Sequence, residues 1–160
     1  ELKKADIGPN ISISDTILEI VEKGGTPIKR ISWKEGELLN SNAVSAKIEN
    51  LTLTIKLKNT GKDAGYIQLL SLKNKTSNTN IGNEKTFILV PADGETGNLY
   101  GIDILKQPSF ISGADNRVDL EYIFRIYNSD LHPQKDFNII IQCSVKTNER
   151  GNQMYCQPTR

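Results

Sequence analysis

The single histidine, His132, is the one candidate for general acid–base chemistry near neutral pH. It precedes Pro133 in a predicted loop, with Asp130 and Asp136 nearby in the sequence, and a His–Asp pair can act as a base. No Ser or Cys in the chain carries the sequence motif of an activated nucleophile. We therefore predict that His132 is a solvated loop residue.

Carboxylates offer the next possibility, since oxygen ligands bind calcium. Asp115 and Asp119, in Asp115-Asn-Arg-Val-Asp119, are candidate calcium ligands, but the segment lacks the spacing and the Gly of a calcium loop. We interpret it as a turn with solvated carboxylates. Gly24-Gly25 is not followed by the Lys-Ser/Thr of a phosphate-binding loop. The sequence predicts neither an enzyme nor a cofactor.

Two cysteines, Cys143 and Cys156, are placed to form a disulfide. Asn148–Gly151 is a plausible turn, and folding the chain about its centre brings Cys156 directly opposite Cys143 on the preceding strand. The alternatives are two free buried thiols, or a zinc site for which only His132 would be available. We favour the disulfide, which implies an oxidising compartment.

Three Asn-x-Ser/Thr sequons agree with a secreted protein, although an Asn- and Thr-rich chain also produces them by chance. They begin at Asn10, Asn50 and Asn74. We expect Asn74 to be the best acceptor, because the polar stretch Lys73–Asn80 is typical of an exposed loop.

Hydrophobic alternation marks the strands that must position these residues. In Leu51–Lys58, apolar residues fall on one face and Thr or Lys on the other, and this period of two indicates a half-buried strand. Asn59-Thr-Gly61 then provides turn residues. Val118–Tyr127 and Phe137–Val145 repeat the alternation.

The other segments follow the same rules. Phe87–Val90 is predicted to be a buried strand, and Pro91–Gly94 a turn that ends it. Ile11–Val21 fits either a strand or a short capped helix. Ile28–Lys34 is a short strand candidate. The aromatic residues that could stack on sugars are each expected in the core or at its rim; they are Trp33, Tyr66, Tyr100 and Tyr127.

Together these patterns predict an all-β, immunoglobulin-like antiparallel β-sandwich of roughly seven to nine strands. We assign residues 51–160 to the sandwich and residues 1–50 to an N-terminal segment packed on it or part of it. The net charge of +1 argues against a nucleic-acid partner. No apolar run approaches the length of about 18 residues that a membrane span needs, so we expect any anchor outside this chain.

Two families share short motifs with this chain. Leu53–Tyr66 followed by Phe87–Gly94 resembles the CARDB-type immunoglobulin-like modules of bacterial and archaeal surface proteins. Asn59-Thr-Gly61, Ala64-Gly-Tyr66 and Cys143-Ser-Val145 also look like the immunoglobulin-like third domain of the gamete-fusion (class II fusogen) family.

These resemblances imply a non-catalytic extracellular module of a larger cell-surface protein, acting in adhesion, presentation or protein–protein interaction. Its partner would be a protein or a glycan at the cell surface, and it could oligomerise through the parent protein. The alternatives are a domain of a membrane-fusion protein and a calcium-dependent glycan-binding module.

Overall fold

The chain folds into ten β-strands in a computed structural model that describes residues 8–22, 29–34, 48–108, 115–148 and 151–159. The strands are β1 Ile11–Glu22, β2 Lys29–Lys34, β3 Ile48–Asn59, β4 Gly65–Asn74, β5 Thr79–Val90, β6 Gly94–Glu95, β7 Leu99–Asp103, β8 Asp115–Tyr127, β9 Pro133–Asn148 and β10 Gly151–Thr159. One 3-10 turn, Ile104–Lys106, follows β7. Within these ranges no helix is long and apolar enough to cross a membrane.

The strands form two antiparallel sheets that pack face to face. The first sheet has the order β2-β1-β3, and both β6 and β7 pair with the free side of β3; the second has the order β10-β9-β8-β4-β5. Consecutive strands β3 and β4 lie in opposite sheets, as in immunoglobulin-like sandwiches. The predicted fold class is confirmed, and the two-residue β6 is among the strands that bring the count above nine.

Alternation along β3 builds one half of the core. Leu51, Leu53, Ile55 and Leu57 are all buried, whereas the Thr and Lys residues between them are half-exposed. Burial of such side chains contributes roughly 1.5–3 kcal/mol each. The inward residues of β8, from Val118 to Ile126, supply the facing half. The period of two therefore determines which side of each sheet faces the core.

The described part of the N-terminal segment belongs to the sandwich. β1 and β2 are strands of the first sheet, and Ile11–Glu22 is extended, which removes the helical alternative. Trp33 on β2 is fully buried. The predicted boundary between residues 50 and 51 falls inside β3.

Asn59-Thr60-Gly61 is more than a turn, because it holds the chain that leads into β1. The Asn59 side chain makes four hydrogen bonds: Oδ1 accepts from the N–H groups of Asn10 and Gly61 (both 2.9 Å), and Nδ2 donates to the carbonyls of Asp63 (2.8 Å) and Val90 (3.2 Å). The Thr60 N–H donates to the Asn10 carbonyl at 2.9 Å. A Cβ at Gly61 would collide with Gly8, so this position requires glycine.

The predicted disulfide is present between Cys143 on β9 and Cys156 on β10. The two residues are directly paired across the strands, with their Cα atoms 4.1 Å apart, and both side chains are buried. Next to the bridge, the Thr16 hydroxyl on β1 can donate to the carbonyls of Cys156 (3.0 Å) and Trp33 (3.3 Å). Thr16 thereby connects the two sheets at this side of the sandwich.

Among the described residues, six buried side-chain oxygens have no hydrogen-bond partner, and one of them is the Tyr122 hydroxyl in the core. The Tyr122 side chain is fully buried beside Phe124, with ring centroids 6.0 Å apart, and its hydroxyl has no hydrogen-bond partner among the described residues. Burial raises the pKa of this phenol far above its usual range. Tyr122 therefore stays neutral and carries an unmet hydroxyl.

The prediction of a buried strand at Phe87–Val90 is wrong for most of that run. The segment is the end of β5, which is an edge strand of the second sheet. Only Val90 is buried, whereas Phe87 and Leu89 are 42% and 50% exposed. Alternation explains the difference, because Ile88 and Val90 point toward the core whereas Phe87 and Leu89 lie on the outer face of the sheet. Among the described residues, β5 also has a neighbouring strand on one side alone.

Candidate interaction surface

The residues that could perform acid–base chemistry are not assembled. His132 is exposed in the β8–β9 loop, where its backbone N–H donates to Asn128 Oδ1 at 2.9 Å. Asp136 lies on β9 and forms a bidentate ion pair with Arg125 at 2.7 and 3.0 Å. The Asp136 carboxylate is therefore engaged by a cation of its own.

The candidate calcium ligands do not form a site in the described structure. The predicted turn at 115–119 is wrong, because β8 begins at Asp115. Asp119 lies four positions after Asp115 along the strand, about 13 Å away. Arg117 binds the Asp119 carboxylate at 3.1 and 3.2 Å. The Asp115 side chain lies outside the described residues. No group of three or more metal-ligating His, Cys, Asp or Glu residues occurs in the described ranges.

The three sequons lie in different environments. Asn74 ends β4 and is fully buried, with Nδ2 donating to the Pro108 carbonyl at 3.0 Å and Oδ1 accepting from Ser77 at 3.1 Å, so the prediction of an exposed loop is wrong at this residue. Asn10 is exposed, but its Nδ2 donates to Thr60 at 2.9 Å. Asn50 is exposed on β3. The exposed Asn50 therefore stays a predicted acceptor, whereas the Asn74 amide is buried and hydrogen-bonded in the folded chain.

The second sheet carries an apolar row at one end. Strand register aligns residues of four neighbouring strands, Leu89, Tyr66, Tyr127 and Pro133. Gly65 and Ile67 on either side of Tyr66 are buried, so Tyr66 points away from the core, and its direct partner Leu89 is half-exposed. We call these four residues, with Phe87, the β5 surface.

Phe87 extends this surface over Tyr127. The rings meet edge to face, with centroids 4.8 Å apart and planes at 85°. Tyr127 is nearly buried, whereas Phe87 remains 42% exposed. Leu131, in the loop two residues before Pro133, is 47% exposed with a φ of 63°. A positive φ is a strained backbone conformation for a leucine. The Leu131 side chain is also exposed to solvent.

A polar row borders the apolar row. Register places Gln68, Arg125 and Asp136 side by side on β4, β8 and β9. The Tyr127 hydroxyl donates to Gln68 Oε1 at 2.8 Å, which connects the two rows. The hydrogen bonds from Arg125 hold the pKa of Asp136 below its usual range.

The side chains of this arrangement are of the types found at protein interfaces. Aromatic residues and Arg are enriched at the cores of protein interfaces, where they contribute much of the affinity. The β5 surface contains two tyrosines and a phenylalanine, and the Arg125–Asp136 pair borders it. The sequence predicted Tyr66 and Tyr127 as core or rim residues. Their alignment with Leu89 depends on the pairing of β4, β5 and β8, which no sequence signal reveals.

Comparison with known proteins adds no relative. No protein-family model, curated protein sequence or solved structure matches the chain. The function therefore has to be argued from the surface itself.

Proposed function

We propose that this chain is a non-catalytic extracellular β-sandwich module of a larger cell-surface protein, and that it binds a protein partner through the β5 surface. The observation that carries the proposal is the exposure of Phe87 and Leu89, at 42% and 50%, beside the aromatic rings of Tyr127 and Tyr66. Large apolar side chains grouped in this way on a rigid sheet are typical of binding surfaces.

The disulfide supports the extracellular part of the proposal. Structural disulfides form and persist in oxidising compartments and are rare in the cytosol. The Cys143–Cys156 bridge joins paired strands and is buried on both sides. A partner protein is favoured over a calcium-dependent glycan, because Arg117 already binds the Asp119 carboxylate.

Site-specific photo-cross-linking in the full-length parent protein on its own cells tests this function. A photoreactive residue at Leu89 should cross-link to one defined protein, since half of this side chain is exposed. The matched control is Lys106, whose side chain is 82% exposed in the turn after β7, a strand of the first sheet. Equal products from both positions, or none from Leu89, would contradict the proposal.

A further inference from the structure

β5 is an irregular edge strand. Between the pairs Ile67–Ile88 and Leu69–Glu84, one residue of β4, Gln68, lies opposite three residues of β5. Those three residues are Lys85, Thr86 and Phe87, which we call the β5 bulge. A regular ladder would place one residue there, so the bulge contains two extra residues.

Hydrogen bonds occupy the backbone of the bulge from within the same chain. The Gln68 Nε2 donates to the Lys85 carbonyl at 3.0 Å. The Thr86 N–H donates to Glu84 Oε1 at 3.2 Å, and the Thr86 hydroxyl donates to the same oxygen at 2.9 Å. These backbone groups would otherwise be available to a strand from another molecule.

The Gln68 side chain is itself held by a second hydrogen bond. Gln68 Oε1 accepts the Tyr127 hydroxyl at 2.8 Å, and Phe87 at the end of the bulge packs edge to face on the Tyr127 ring. Gln68 and Tyr127 therefore hold both ends of the bulge, one by its carbonyl and the other by its aromatic side chain. Bulges bend an edge and terminate strand pairing.

We propose that the β5 bulge prevents β5 from pairing with β5 of a second copy, and that Gln68 stabilises the bulge. An edge strand that exposes Ile81, Phe87 and Leu89 is a template for antiparallel pairing about a two-fold axis. The bulge breaks the flat ladder that such pairing needs. This inference does not depend on the proposed function, because it concerns self-association alone.

Deletion of Lys85 and Thr86 tests this proposal, since it restores one-to-one register between β4 and β5 from Ile67 to Leu69. The 160-residue chain should be monomeric, and the deletion variant should form a dimer of twice the mass in sedimentation at the same concentration. A second deletion variant that also carries Ile81→Lys and Leu89→Lys should return to monomer, because charges on an edge strand oppose pairing.

A folded deletion variant that stays monomeric would overturn the proposal, as would a wild-type chain that already sediments as a dimer at the same concentration. Should the deletion prevent folding, Gln68→Ala keeps the chain length and removes the hydrogen bond to the Lys85 carbonyl. That variant should exchange the amide hydrogens of 85–87 at least tenfold faster than wild type and should associate at high concentration. Unchanged amide-hydrogen exchange in Gln68→Ala, together with a monomeric state, would contradict the proposal.

Discussion

Phe87 and Tyr127 lie edge to face with their ring centroids 4.8 Å apart, although one belongs to an edge strand and the other to a central strand of the same sheet. The contact lies across β4, and Phe87 is the last of the three residues of the β5 bulge. The result is an aromatic pair that is buried on the Tyr127 side and open to solvent on the Phe87 side.

Truncation of the β5 surface should separate binding from stability. Leu89→Ala removes a half-exposed side chain and should cost less than about 1 kcal/mol of unfolding free energy. Phe87→Ala also loses the contact with Tyr127 and should cost about 1–2 kcal/mol. Cross-linking at Pro133, on the same surface, should fall at least tenfold in the double variant.

Leu53→Ala is the matched stability control, since Leu53 is fully buried on β3 and its truncation should cost about 2–5 kcal/mol. Urea unfolding measures both effects. A double variant of Phe87 and Leu89 that is as unstable as Leu53→Ala would show that these residues support the fold rather than a partner.

Tyr122→Phe should stabilise the protein. The hydroxyl is buried and has no hydrogen-bond partner in the described part of the chain, so its removal ends a desolvation cost without breaking a bond. We expect a gain of about 1 kcal/mol, which corresponds to a rise in Tm of about 2–4 °C. Tyr66→Phe, on the outward face, is the control and should leave Tm unchanged. A lower Tm for Tyr122→Phe would reveal a partner for the hydroxyl.

Asn59→Ala should destabilise the sandwich by about 3 kcal/mol. It removes four hydrogen bonds and leaves the Asn10 N–H and the Val90 carbonyl without their side-chain partner. Asn59→Asp keeps the acceptor oxygen but places a buried carboxylate oxygen against the carbonyls of Asp63 and Val90, so we expect a loss at least as large. Thr60→Ala, which breaks an exposed contact with Asn10, is the control. Equal urea midpoints for all three variants would contradict this role for Asn59.

Replacement of both Cys143 and Cys156 by Ala should lower the unfolding free energy by about 2–4 kcal/mol. The bridge closes a loop with a sequence separation of 13, and the entropy model assigns most of its effect to the unfolded chain. Circular dichroism of the variant should therefore retain the β-sheet spectrum while Tm falls. Two free thiols found by mass spectrometry in natively purified protein would contradict the presence of the disulfide. The argument for an oxidising compartment would then fail as well.

Acid should weaken the fold through Asp136 and Glu84. Hydrogen bonds from Arg125 lower the pKa of Asp136, and those from Thr86 lower the pKa of Glu84. A carboxylate with a depressed folded-state pKa contributes stability above its unfolded pKa and loses it as the pH falls through the folded value. Asp136→Asn should therefore cost more stability at about pH 6 than at about pH 3. A pH-independent cost in urea unfolding would contradict this assignment.

The sequence was sufficient where one local pattern determines the answer. Alternation placed Leu53 and Ile55 in the core, and folding the chain about Asn148–Gly151 brought Cys143 opposite Cys156. Both inferences need only neighbouring residues, because side chains alternate along a strand and a hairpin pairs symmetrically about its turn.

Features that depend on distant pairing were missed. The apolar run Phe87–Val90 is compatible with a central or an edge strand, and only the sheet order shows that its outward side is open. Asn74 looked exposed among polar neighbours, yet its side chain is buried against the Pro108 carbonyl. The partner of Asn59 lies 49 residues earlier in the chain, at Asn10. Such contacts leave no local trace in the sequence.

The Thr16 hydroxyl and the Cys156 carbonyl, 3.0 Å apart, are separated by 140 residues of chain. During synthesis, this side of the sandwich therefore stays open until residue 156 has been made. Folds that rely on such distant contacts form slowly, since loop closure must precede any gain from the contact. Until Cys156 arrives, the Thr16 hydroxyl and the core around it remain open to water.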